Sequence, residues 1–150
     1  MSSAPLWKPV AIDAKAGIVS PQVHDAYLQG YLHATDKSLH LYLRTYNGSQ
    51  CTLVVPRTTD LYVSHPQSVS IIFDITPLSL EPDEQRRYLW QSIQETGPHI
   101  EDYRYAAGLG RSSRALVISM SYGPPWFIVG NWDPAHLSYA DGWRLPEEDR

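Results

Sequence analysis

The chain has 150 residues, 43% of them hydrophobic and 19% charged, with a formal net charge of −4. That length and apolar content suit one globular domain around a single core and exclude a disordered segment. Nucleic acid is disfavoured as a partner, because phosphate is gripped by clustered Lys and Arg, and the only such clusters are Arg86-Arg87 and the Arg111/Arg114 pair.

The opening residues Met1-Ser2-Ser3-Ala4-Pro5 show neither the basic nor the apolar stretch of a secretory signal. No apolar run approaches the roughly 20 residues of a membrane span. With Cys51 as the single cysteine, a disulfide scaffold is excluded, and the sequence predicts a cytoplasmic protein away from membranes. Residues 1–9 read as a flexible end, followed by a short edge strand over Val10 to Ile12. From Val23 to Ala34 the pattern alternates. Leu28, Leu32 and Ala34 point one way, and Tyr27, Gln29, Tyr31 and His33 the other. Asp36-Lys37 makes a turn. Leu39, Leu41 and Leu43 then line one face of a strand whose other face carries His40, Tyr42, Arg44 and Tyr46. Asn47-Gly48 is a strong hairpin signal, since both residues accept positive φ. Cys51 to Val55 returns as the partner strand, and Pro56 ends it because proline cannot donate to the ladder. Cys51 reads there as a buried small apolar residue with no base beside it.

Leu61 to Ser64 predicts a further short strand. Val69, Ile71, Phe73 and Ile75 predict the apolar face of another, with Ser70 and Asp74 turned outward. A helix starts near Pro82, with Asp83 and Glu84 at its positive end and Tyr88, Leu89 and Ile93 as its apolar stripe; Gly97-Pro98 stops it. Residues 98–114 are long for a connection and read as a mobile or functional loop. Ala115 to Tyr122 and Trp126 to Val129 make a last hairpin, and a tail carrying Trp132 and Trp143 becomes flexible from about residue 144. The expected fold is one domain over residues 1–150, mainly β with one inserted helix (α+β), arranged as an antiparallel sandwich or half-open barrel.

None of the six histidines stands at metal-ligand spacing, and no cofactor is implied. His33 and His40 flank a turn and could approach each other, but His40 shares a polar face with Tyr42 and Arg44. The serine in Gly108-Leu109-Gly110-Arg111-Ser112 lacks the flanking glycines of a nucleophile elbow. The carboxylate pairs Asp83/Glu84, Glu101/Asp102 and Glu147/Glu148 sit side by side in polar stretches instead of facing each other across a cleft. Two His-x-Ser/Thr triplets, His33-Ala34-Thr35 and His136-Leu137-Ser138, resemble those of the two-histidine phosphoesterases. That resemblance implies His33 and His136 as general base and acid, with Thr35 and Ser138 binding phosphate, and so a small phosphodiesterase acting on a nucleotide. The chain departs from that family where Asp36-Lys37 turns instead of continuing a buried strand.

The aromatic content, Tyr 10 and Trp 5 against Phe 2, favours interfaces. Tyr27, Tyr31, Tyr42 and Tyr46 are expected to form one stripe, open to a partner or covered by the helix. Residues 23–80, with Val23-His24-Asp25-Ala26, the Leu39–Leu43 strand, the Asn47-Gly48 hairpin and Val69-Ser70-Ile71-Ile72-Phe73-Asp74, resemble small β-rich bacterial immunity-type proteins of polymorphic toxin systems. The resemblance implies a toxin-binding role and only a structural part for His24 and Asp25. The leading expectation is a noncatalytic protein-binding domain whose surface includes Tyr42, Arg44, Tyr46, Tyr103, Arg104 and Tyr105, the residue types that dominate interface energetics. Two alternatives stay open: the phosphodiesterase, and a carbohydrate-binding module using Trp126, Trp132 and Trp143. The oligomeric state is not legible.

Overall fold

The computed structural model describes residues 6–15, 17–62, 71–81, 83–96, 109–121 and 125–146. In chain order these form β1 (Lys8–Pro9), β2 (Ala11–Asp13), β3 (Gly17–Ser20), β4 (Tyr27–His33), β5 (Leu39–Arg44), β6 (Gln50–Val55), β7 (Thr58–Tyr62), β8 (Ile72–Ser79), α1 (Asp83–Thr96), β9 (Arg114–Met120), β10 (Trp126–Gly130) and β11 (Ser138–Asp141). Short 3-10 turns occupy Leu109–Arg111 and Pro134–His136. The strands build two antiparallel sheets, ordered β1-β11-β6-β5-β4 and β7-β10-β9-β8, with β2-β3 as a separate hairpin. The expected mainly-β α+β sandwich is the architecture found, and no sheet among the described residues closes into a barrel.

The two sheets enclose the main core. Leu39, Leu41, Leu43, Leu53 and Val55 of the first sheet meet Ile72, Ile75, Leu116, Ile118 and Ile128 of the second. A second cluster lies on the far face of the second sheet, where Ala115, Phe127 and Val129 pack with Tyr62, Leu80, Leu109 and Leu89 of α1. The helix therefore covers the second sheet and not the tyrosine-bearing face of the first. β10 is buried on both faces, which explains why Trp126 to Val129 reads as a continuous apolar run instead of an alternation.

The β4–β5 and β5–β6 hairpins close alike. Ala34 N–H donates to the Ser38 carbonyl and Lys37 N–H to the Ala34 carbonyl, just as Thr45 N–H donates to Ser49 and Gly48 N–H to Thr45. Each loop needs one left-handed residue, Lys37 at φ 69° and Gly48 at φ 91°. Asn47 does not take positive φ, contrary to the sequence expectation, because a three-residue loop asks it only of the residue closing the turn. Lys37 is exposed and held there at a cost that glycine avoids. Lys37→Gly is expected to raise stability by about 0.5–1 kcal/mol, measured as a higher urea midpoint at unchanged slope. Asp36 completes this turn by accepting the Ser38 hydroxyl at 2.6 Å and the Ser38 amide at 2.9 Å. These bonds, the hydroxyl first, hold its carboxyl below the usual carboxylate range.

Two bulges overturn the expected alternation. In β4 the register runs from Leu28↔Leu43 to Gly30↔Tyr42, so Gln29 is the extra residue and every later side chain changes face. Tyr31 then stands opposite Leu41, on the core side, and its ring meets Trp126 edge-on at 5.4 Å. The four-tyrosine stripe does not form. In β8, Phe73 is the extra residue between Ile72↔Met120 and Asp74↔Ser119. It is turned outward and 52% exposed, while Ile72 and Ile75 are buried.

β4 also joins the sheets. At its start Tyr27 bridges Ile71, the Asp25 amide donates to the Ile72 carbonyl, and the Ile72 amide donates to the Ala26 carbonyl. Midway Tyr31 reaches Trp126 of β10, and at its end His33 reaches Thr58 of β7. The strand thus crosses the second sheet obliquely. Order extends into both ends that read as flexible: Lys8 and Pro9 pair with Tyr139 and Ser138, and the Arg144 amide donates to Thr52 Oγ1.

Candidate functional site

The outer face of the first sheet carries Tyr42 and Arg44, and the segment after β11 folds across it. The Tyr42 hydroxyl donates to the Arg144 carbonyl at 3.0 Å, Thr52 Oγ1 to the Gly142 carbonyl at 2.7 Å, and Trp143 Nε1 to the Leu43 carbonyl at 2.9 Å. The Arg44 guanidinium lies 5.4 Å from the Trp143 ring centroid, a cation–π contact. Tyr27 stands directly opposite Arg44 in the register. Tyr46 projects from the neighbouring hairpin loop and is 74% exposed. The structure therefore brings together Tyr27, Arg44 and Trp143, with Tyr46 exposed in the adjoining hairpin loop, while Tyr42 is occupied in anchoring the tail. The expected contributors Tyr103, Arg104 and Tyr105 lie outside the described residues.

The two-histidine residues are not gathered into one groove. Thr58 Oγ1 donates its only proton to the Lys37 carbonyl, so the 2.7 Å contact with His33 Nε2 is donated by the imidazole. Thr35 is exposed in the β4–β5 turn, His136 is exposed in a 3-10 turn, and Ser138 opens β11. The register runs His33–Leu39–Val55 and then, beside Val54↔Ser138, to β11. Three strand spacings, roughly 14 Å, separate β4 from β11, which begins two residues after His136. His40 pairs with Leu32 and faces away from His33. Among the described residues no three His, Cys, Asp or Glu side chains form a metal-holding group. Trp126 and Trp132 are buried, so only Trp143 of the three tryptophans is exposed. Cys51 is buried as expected. Loss of solvation, reinforced by the nearby Asp141 charge, pushes its thiol up to about 12, which makes it a poor nucleophile.

A second feature lies where the β2-β3 hairpin rests on β8. A cleft of about 530 Å³ opens there. Its floor is Ile18 and Val23, both buried, and its walls are the exposed side chains of Val19 and Phe73. Lys15, Gln22, His24 and Asp74 form the rim. His24 Nδ1 donates to the Phe73 carbonyl at 2.6 Å, which leaves Nε2 3.7 Å from Asp25 Oδ2. The His24 and Phe73 rings meet edge-on at 5.4 Å. The immunity-type resemblance implies only a structural part for His24, and the cleft is not legible in the sequence, because residues 1–22 read as a mobile end and an edge strand. Gly17, at φ 77° where β3 meets β8, is the one local signal of a close approach.

No helix among the described residues is long and apolar enough to cross a membrane. Compared with known proteins, the chain matches no family model, no curated protein and no solved structure.

Proposed function

We propose that the chain is a noncatalytic protein-binding domain that grips its partner through Tyr27, Arg44, Tyr46 and Trp143. The reading rests on one observation, the assembly of an exposed Tyr/Arg/Trp cluster on a rigid strand pair. Trp143 is oriented by its bond to the Leu43 carbonyl, and Arg44 is held against it. Side chains fixed before binding lose little entropy on binding, and these residue types supply most interface hot spots. A net charge of −4 favours a basic partner through electrostatic steering. The resemblance to immunity-type proteins makes that partner a protein toxin, neutralised in the cytoplasm.

The test is a search of the genes flanking this one for a toxin domain, followed by a calorimetric titration of that domain against the chain. Tyr46→Ala and Trp143→Ala are each expected to weaken the complex about tenfold or more, at least roughly 1.4 kcal/mol. Circular dichroism of both variants should stay native. Wild-type affinity in both variants would remove this face, and absence of any complex would remove the toxin.

A further inference from the structure

Independently of the aromatic cluster, we infer that the cleft between the β2-β3 hairpin and β8 is a binding site for a free amino acid with a large aromatic side chain. The volume, about 530 Å³, falls in the range of small-molecule sites. Its interior is apolar: Ile18 and Val23 make the floor, and Val19 and Phe73 remain 47% and 52% exposed at the walls. Two such side chains facing open space beside a buried apolar floor leave room for a flat ring, and Phe73 supplies an aromatic surface to stack on it.

The rim selects the rest of the ligand. Lys15 and Asp74 bring opposite charges to the same cleft. Among the described residues neither forms an ion pair. A ligand bearing one carboxylate and one ammonium complements both charges at once, where a simple anion or cation satisfies one and is opposed by the other. Gln22 adds an amide that can donate and accept. His24, with its Nδ1 proton committed to the Phe73 carbonyl, presents Nε2 as an acceptor for the ammonium when neutral. An aromatic residue inside a peptide carries neither charge, which separates a free amino acid from a partner protein's side chain.

The experiment is a titration of the full chain followed by amide chemical shifts, with L-tryptophan, tryptamine, 3-indolepropionate and N-acetyl-tryptophanamide as probes. L-Tryptophan should shift the Val19, Gln22, His24 and Asp74 amides saturably. Tryptamine, without the carboxylate, and 3-indolepropionate, without the ammonium, should each bind about tenfold more weakly, a step of roughly 1.4 kcal/mol. N-acetyl-tryptophanamide should be weaker still. Asp74→Asn should erase the preference for L-tryptophan over 3-indolepropionate, and Lys15→Met the preference over tryptamine. No saturable shift with L-tryptophan, shifts confined to another surface, or equal binding of N-acetyl-tryptophanamide would each overturn the proposal. None of these results depends on the partner face at Tyr46 and Trp143.

Discussion

Replacing Gly17 by alanine is expected to destabilise the protein by roughly 2–5 kcal/mol. Two costs combine. The residue sits at φ 77°, where a Cβ is disfavoured by about 1–2 kcal/mol. The added methyl would also run into the Ile75 carbonyl of β8 and lie 3.2 Å from Thr76 Oγ1. Backbone on the receiving side cannot swing away as a side-chain tip can, so β3 must lift from β8, and forced shifts of this kind typically cost about 1–3 kcal/mol. Gly48→Ala is the control. Its φ is 91° and a methyl added there would meet nothing within 4 Å, so it should show the conformational cost alone. Urea unfolding of both variants measures the difference. Equal losses would mean that the approach of β3 to β8 constrains nothing.

Leu41→Ala should cost about 3–4 kcal/mol. Leu41 is fully buried on the core face of β5, paired with Tyr31 on one side and Leu53 on the other. Truncation removes apolar burial and leaves a void between two sheets that are tied together at Ala26–Ile72 and so cannot collapse onto it. The neighbouring Tyr42→Phe should lose the hydroxyl bond to the Arg144 carbonyl, about 1 kcal/mol. Denaturant titration of the pair tests the sidedness of β5. A loss below about 1 kcal/mol at Leu41 would place it outside the core.

The elements legible in the sequence are those whose signals are local. The Leu39, Leu41, Leu43 alternation, Pro56 after β6 and the acidic start of α1 carry their own reasons, and each stands where those reasons put it. What the sequence hid came from partners distant in the chain. Ser138-Tyr139-Ala140-Asp141 has no strand pattern of its own and becomes β11 because β1 and β6 offer their edges. The bulges at Gln29 and Phe73 each shift the side-chain period by one. Gly30 could have flagged the first, since glycine inside a strand often marks a bulge. The run Ile71-Ile72-Phe73 carries no such mark. The same holds for the candidate sites. Arg44 and Tyr46 were readable from the β5 alternation, whereas Tyr27 and Trp143 join them only through register and the returning tail. The cleft joins Lys15, Gln22 and His24 to Phe73 and Asp74, 49 residues further along from His24 to Phe73, beyond the reach of any local pattern.

The position of β11 bears on how the chain is made. It lies between β1 and β6, so the earliest and middle strands of the first sheet become neighbours only through a strand that emerges from the ribosome after residue 137. Until then β5 and β6 can pair while the far side of β6 displays unsatisfied amides and carbonyls, a template for intermolecular pairing. Keeping that edge of β6 covered until β11 arrives would therefore bear on the yield of native protein.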